Sequence, residues 1–373
     1  MQEKEINTSD MRMNFHKIYY EKIAPMMEKY EKERKFIIFK IFLLEILIIG
    51  LFLLVLHFTY ASIQSTSTNG VLIILDILLF VSCFIIPFPF NDKFSKKIKK
   101  ACMPKILKAF GDISWYNSKN KTTTYLPIDE CKYIASDLFS SFNHLTSDDS
   151  FTGSYKGVKF SINEVHMWYE TGSGKNRSYR NVFKGVTINF DANKTIKSKT
   201  IIATKWDSNI KNRWFTTGTF LFTLALVISG FYLRDYEIMS YSLISFIAMV
   251  AAILYEKCSK NKNILKEIKL EDPKFNSKYR AYSSDEVEGR YLITTAFMER
   301  FNNIRTAFGS RGAKCSFYGN SLMFAISTNK NLFEVGNLFT PLNNPKQLKR
   351  FMNELISIFA LVDYFKLDEK IGL

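Results

Sequence analysis

The chain has 373 residues, 47% of them hydrophobic, with 34 Phe, a richness that ordinary soluble domains lack. Lys and Arg total 51 against 35 Asp and Glu, a net of +16, so the partners that suit it are anionic: nucleic acid, an anionic membrane face or acidic proteins. Its five cysteines and four histidines are scattered with no CxxC pair, which gives no zinc, redox or cofactor framework and fits lone thiols in a reducing cytosol.

Residues 1–35 are polar and charged, with no early apolar run or small-residue cleavage site. They read as a cytoplasmic N-terminal helix rather than a signal peptide. Segment 36–56 is 21 residues of almost unbroken apolar sequence. At about 1.5 Å rise per residue it covers about 30 Å, the thickness of a bilayer core. Segment 71–90 is a second span, and the two form a first hairpin over 36–90. Segments 214–233 and 238–255, joined by "RDYE", read as a second hairpin over 214–255. Positive charge orients them. Residues 91–110 carry seven Lys and one Asp, and 257–270 carry five Lys and one Glu, whereas the opposite turns hold only Arg234. The positive-inside rule then places the N-terminus, the middle segment and the C-terminus in the cytoplasm of a multi-pass inner-membrane protein.

Three charges fall within the first two spans. Lys40 lies close enough to one end to snorkel. Glu45 and Asp76 sit deeper, and intramembrane acids are candidates for a proton or cation site. In an antiparallel pair their depths differ by roughly 9 Å, so they do not make one obvious site. Structural roles are the simpler expectation: Glu45 paired to a neighbouring helix, Asp76 reaching headgroups or water. After span two, Phe94, Ile98, Cys102, Ile106 and Phe110 form an i, i+4 apolar ridge. Lys93, Lys96, Lys97, Lys99, Lys100, Lys105 and Lys108 occupy the other faces. That pattern suits a helix lying along an anionic inner leaflet, each Lys near the surface contributing about 1 kcal/mol; a solvated topology signal fits it equally. Pro104 would kink that helix or start a new one. The charge follows the membrane edges and no basic-aromatic platform accompanies it, which argues against nucleic acid.

Two soluble pieces remain, 91–213 and 256–373. Residues 128–144 read as a short helix, with strands at 153–163, 164–170, 181–191 and 197–206. "TGSGKNRS" (171–178) contains Gly174-Lys175, but Tyr169 and Asn176 stand where a phosphate loop needs Gly and Ser or Thr, so it reads as a hairpin loop. The C-terminal piece has a strand near 275–282. The stretch "SSDEVEGRYLITTAFMERF" (283–301) then reads as one helix, Ser283 and Glu286 having capping-box spacing and Val287, Tyr291, Met298, Phe301 and Phe308 lying near one face. Strands at 314–320, 321–328 and 331–336 follow, and a last helix near 345–365 presents Leu348, Phe351, Leu355, Phe359 and Val362. A middle piece rich in strands has little helical cover, and the C-terminal piece supplies it. The expected fold class is therefore one α+β cytoplasmic domain, interrupted by the second hairpin, plus an α-helical membrane region of four spans; uncovered edge strands argue against two separate domains.

The order of "FHKIYYEKIAPMMEKYEKERK" (15–35), two spans, "SDLFSSFNHLTSDDSFTGSYKGVKFSINEV" (136–165), "FKGVTINFD" (183–191), "YRAYSSDEVEGRYLITTAFMERF" (279–301) and "LFEVG" (332–336) resembles a bacterial membrane-protein family known only as a domain of unknown function. The resemblance implies association with LemA-type membrane proteins and carries no catalytic residues. In the family pattern the strand segment runs on to "YSSDEVEGRY" without spans, so the second hairpin is an insertion here.

No motif specifies a reaction. Glu286, Glu288 and Arg290 open the helix at 283–301, where acids favour the helix dipole; they read as a structural network, with a phosphate-holding or enzymatic role as the alternative. Asp148, Asp149 and Glu164 have the chemistry for a divalent ion but read as solvated, and His166 beside Trp168 reads as a strand residue rather than a base. The favoured expectation is a membrane protein whose cytoplasmic domain binds a protein or anionic inner-leaflet lipid. A transport component using Glu45 and Asp76 and a membrane-tethered enzyme are the alternatives.

Overall fold

A segment apolar on all faces must satisfy its backbone internally, and in the N-terminal part of the chain every long described element is a helix. In the computed structural model, which describes residues 8–64, 70–117, 129–205, 207, 246–247, 265–310 and 312–365, α1 (Thr8–Ile18) passes through one π-helical turn (Tyr19–Ile23) into α2 (Ala24–Gln64). Helix α3 (Gly70–Ile85) is followed at once by α4 (Pro87–Leu107), Pro87 taking the first helical position, where its missing N–H costs nothing. The chain divides into two units, Met1–Trp115 with Asn331–Ile356, and Tyr116–Lys330 with Ser357–Leu373.

In the first unit two helical stretches, Asp10–Ile63 and Gly70–Leu107, are long and apolar enough to cross a membrane, and only 6% of the apolar window of each is buried. Phe52 meets Phe80 at 6.1 Å between α2 and α3, while Phe42, Leu47, Leu53 and Phe84 stay exposed. The segments at 214–233 and 238–255, and with them the second hairpin, lie outside the described residues apart from 246–247.

The second unit is built on one antiparallel sheet. Its strands are β1 (Ile113–Asn117, which begins in the first unit), β2 (His144–Tyr155), β3 (Val158–Thr171), β4 (Ser178–Thr204), β5 (Lys266–Ile268), β6 (Tyr279–Ser283) and β7 (Gly312–Ser327). The order is β1-β2-β3-β4-β6-β5, with β7 on the other side of β4. Strand β4 pairs with β3 over its first half and with β6 from Thr200 to Thr204, while β7 runs beside both halves. Strands from either side of 208–264 thus share one sheet.

Several elements differ from the sequence reading, each for a local reason. The helix expected at 128–144 is only α5 (Glu130–Ala135), capped by the Asp129 carboxylate accepting from Cys131 N at 3.1 Å, and β2 already begins at His144. Lys156 and Gly157 both take positive φ (49° and 75°), the two-residue turn that matches strand twist, so 153–163 is a hairpin corner rather than one strand. The 171–178 loop does join two strands, pairing Thr171 with Ser178. The strands expected at 181–191 and 197–206 are one strand, β4, and those at 314–320 and 321–328 are likewise one, β7. The strand expected near 275–282 is α6 (Pro273–Lys278), capped by Asp272, followed by β6.

The helix expected at 283–301 is two: α7 (Glu286–Leu292) and α8 (Thr295–Ala307). Asp285, not Ser283, caps α7, accepting from Val287 N at 2.8 Å, and Thr294 Oγ1 accepts from Phe297 N at 3.2 Å. The break changes the buried face: Val287 is 79% exposed, whereas Phe297, Phe301 and Phe308 are buried, Phe301 packing on Tyr279 of β6 and Phe297 on Phe317 of β7. The last helix, α9 (Lys346–Phe365), buries Leu348, Phe351, Leu355, Phe359 and Val362 as its periodicity predicts. It begins in the first unit and ends in the second, where Phe359 packs on Tyr155 and Phe160.

Candidate functional site

In the first unit the apolar ridge of α4 is buried against protein, with Phe94, Ile98, Cys102, Ile106 and Phe110 at most 4% exposed. A helix resting that ridge on lipid is therefore corrected: Phe110, for one, packs on Phe15 of α1 at 5.9 Å. The helix continues through Pro104. Lys99 is corrected with it, being buried and donating to Glu334 at 2.9 Å. Lys93, Lys96, Lys97, Lys100, Lys105 and Lys108 remain exposed. Lys96 pairs with Asp92 and Lys97 with Glu33, while Lys93, Lys100 and Lys108 form no ion pair among the described residues.

The segment 331–336, expected as a strand, has no regular structure; the loop from 331 to 345 is held by side chains instead. Arg34 donates to Leu338 O at 2.7 Å and to Glu31, and Glu31 accepts from Leu342 N at 2.9 Å. Asn91 accepts from Leu338 N at 2.9 Å. The sequence analysis singled out neither Glu31 nor Arg34 within the polar, charged stretch of residues 1–35. Their i, i+3 spacing was the available signal, but it is common to many surface pairs.

Asp76 is buried, and Thr59 of α2 lies 2.7 Å from its Oδ2. Its contact is thus a neighbouring helix rather than headgroups or water. Glu45 is half-buried, and the structure does not bring it into hydrogen-bonding contact with Asp76.

In the second unit Glu286 and Arg290 pair with each other at 2.9 Å on an exposed helix face. Glu288 turns the other way and accepts from Lys197 N and Ser198 N at 3.1 and 2.6 Å, where β4 changes partners. Each of the three is engaged in structure. At the β2 bulge Asp148 and Asp149 lie opposite Glu164, and Asp149 accepts from Asn117 at 2.9 Å; no acid, His or Cys grouping that could hold a metal occurs among the described residues. His166 packs on Trp168 at 5.0 Å, and His144 stacks on the same indole at 5.1 Å.

A cavity of about 240 Å³ lies between α5 and the face of β2, β3, β4 and β7. Strand alternation brings its floor together: Asn163 lies opposite Thr187, Ser161 opposite Asn189, and Asn189 opposite Met323. A hydrogen-bonded ring stiffens one side. Asn163 Nδ2 donates to the Tyr133 hydroxyl at 3.3 Å, Tyr133 to Thr187 Oγ1 at 2.9 Å, and Thr187 to Asn163 O at 3.4 Å. Burial pushes the Tyr133 hydroxyl up to about 12, which keeps it protonated as the donor in the middle of that ring. On the other side Lys132 pairs with Asp191 at 2.7 Å, and Asn189 Nδ2 donates to the same carboxylate at 3.1 Å. Reversing the Asn189 amide would set two acceptors against each other, so its orientation is fixed. Both asparagines are 4% exposed, and the Oδ1 of each is buried with no hydrogen-bond partner. Each such orphan costs about 1–3 kcal/mol. Nothing in local sequence spacing announced this cavity, because its lining comes from four strands and a helix.

Residues 181–367 match the model of a family described as "Protein of unknown function (DUF3137)". No curated protein matches the chain, and no solved structure does.

Proposed function

The chain belongs to the DUF3137 family of proteins of unknown function, the match taking in half of its 373 residues, and from that premise we propose that it is a membrane-anchored binding protein rather than an enzyme. Helices α2 and α3 form its anchor, and its sheet domain is a cytoplasmic module that engages a protein partner. The observation that carries this reading is the exposure of the two apolar helices, which are 6% buried over their apolar windows where a soluble core helix would be covered. The exposed lysines of α4 add attraction to anionic inner-leaflet lipid. A bacterial LemA-type membrane protein is the partner class that the sequence resemblance favours.

Alkaline carbonate extraction of membranes carrying the full chain tests the anchor. Retention in the pellet is expected, and release into the supernatant overturns it. Crosslinking in intact membranes tests the partner, with a LemA-type protein as the expected product and its absence from the crosslinked set as the contrary result. The transport alternative rests on Glu45 and Asp76. It requires that Asp76→Asn change ion flux in proteoliposomes; the Thr59 contact favours a structural role, for which flux stays unchanged.

A further inference from the structure

We propose that the loop tip at 339–341 is a further membrane contact of this chain, Phe339 inserting its ring among phospholipids at the interface that borders α2 and α3. The proposal rests on the reading of α2 and α3 as membrane-spanning, and it adds a lipid contact from the C-terminal part of the chain.

The residues that hold the loop fix its level. Arg34 stands two residues before Phe36, where the first apolar span begins, about 3 Å along the helix axis, and Asn91 directly follows Phe90, the end of the second. Arg34 donates to Leu338 O and Asn91 accepts from Leu338 N, so one loop residue is clamped by the same end of both spans. The loop and the helices belong to one unit. Lys40 marks that end as well. Its Nζ turns back to lie 4.5 Å from the Phe36 ring centroid, as a lysine just inside a span does to reach headgroups. Leu338 and Leu342 are buried, whereas Phe339 is 62% exposed, and Thr340 and Pro341 are exposed with it. Phe36 and Phe88 stand exposed at the same end, so Phe339 extends the apolar surface of the helices there. Phe is among the side chains that interfacial anchors bury about 5–10 Å into the boundary between headgroups and acyl chains.

The backbone of the tip is suited to lipid. Hydrocarbon offers nothing to an unpaired N–H, so irregular chain beside it must satisfy its own donors. Leu338 N donates to Asn91 Oδ1, Phe339 N and Thr340 N both donate to Asn337 Oδ1, and Leu342 N donates to Glu31, each at 2.9 Å. Pro341 has no N–H to place. The Thr340 hydroxyl donates to Asn337 Oδ1 as well. The chain is 23% charged, yet no charged residue occurs between Glu334 and Lys346, so nothing on the tip resists desolvation. A docking protein supplies partners for loop N–H groups; lipid does not, and from 338 to 342 no such donor is left over.

The test introduces the photocrosslinker p-benzoylphenylalanine in place of Phe339 in the full chain, held in nanodiscs of phosphatidylcholine and phosphatidylglycerol. Phe36 and Tyr20 are the comparison positions. Tyr20 is also exposed but lies 16 residues before Phe36, about 24 Å along the helix axis. After illumination the mass of the intact chain is expected to rise by one phospholipid with the label at 339 or at 36, and to stay unchanged with it at 20. A lipid adduct at 36 without one at 339 overturns the proposal and leaves the anchor standing. No adduct at 36 overturns the anchor reading and the proposal with it. Adducts as frequent at 20 as at 339, or a protein adduct replacing the lipid one at 339 in native membranes, overturn the proposal too. Phe339→Trp covers the case in which the crosslinker is not accommodated. Its emission above that of the parent chain is expected to be quenched by lipid brominated near the headgroup, and unquenched emission overturns the proposal.

Discussion

At the residue scale, one of the acids that read as a structural network, Glu288, completes a strand. The ladder of β4 shifts register between Asp191, Ile196 and Thr200, which leaves backbone N–H groups without strand partners. The Glu288 carboxylate takes two of them, at Lys197 and Ser198. Hydrogen bonds to a charged acceptor are worth about 1.5–3 kcal/mol, so Glu288→Ala is expected to destabilise the sheet domain by about 2–3 kcal/mol, read by thermal unfolding in detergent. Arg290→Ala, which removes only an exposed i, i+4 pair, should cost under about 0.5 kcal/mol. Equal effects of the two would contradict the assignment. Tyr133 supplies a pH signature. Its hydroxyl titrates near 10 in the unfolded chain and near 12 when buried. Between those values the unfolded chain releases a proton that the folded chain retains, so stability is intact below about pH 10 and falls as pH rises toward 12. The loss is on the order of 2–3 kcal/mol at about 1.4 kcal/mol per unit. Tyr133→Phe should flatten that alkaline slope, while lowering stability at neutral pH because Asn163 and Thr187 lose a partner.

At the element scale, legibility followed the range of the forces involved. The buried face of α9 was readable because helical periodicity and tertiary burial agree over its whole length. The ridge of α4 was equally readable, but its partner was not. An apolar stripe opposite lysines has the same pattern whether it meets lipid or the chain's own loop at 331–345. The break between α7 and α8 was hidden because Thr294 starts a new helix where apolar spacing continues without a gap. Turn chemistry at Lys156-Gly157 outranked the strand pattern that ran through it. None of the cavity's convergence was visible, since it depends on register between strands far apart in sequence. Lys99 on α4 carries an element-scale prediction. Its pair with Glu334 is buried on the lysine side and partly open on the other. Lys99→Met alone should cost about 2 kcal/mol, below the 3–5 kcal/mol of a fully buried broken pair, because Glu334 keeps some solvent. The double variant Lys99→Met, Glu334→Leu should recover most of that loss in a double-mutant cycle, and simple additivity would show that the pair does not hold the loop.

At the scale of the whole molecule, the question is whether residues 208–264 matter to the sheet they interrupt. The registers answer in part. Thr204, near the end of β4, sits opposite Tyr279, whereas β5 begins with Lys266 opposite Ser283, which in turn faces Thr200. A chain leaving β4 must therefore travel back about four residues along the sheet and cross two strand spacings to enter β5. That is about 13 Å along and about 10 Å across, or about 16 Å in all. Five or six extended residues span such a distance at about 3.3 Å each, and a flexible linker of about twelve does so with slack. The pairings of β4 with β6 and β7 are made by residues outside the replaced stretch. Replacing 208–264 by a twelve-residue Gly/Ser linker should leave the thermal transition of the sheet domain within a few degrees of the parent, with hydrogen-exchange protection retained at Ile201 and Ile202. Each doubling of loop length changes closure cost by only about 0.6 kcal/mol, so shortening the loop should not itself destabilise. Loss of that protection would mean that the replaced stretch supplies part of the fold rather than interrupting it.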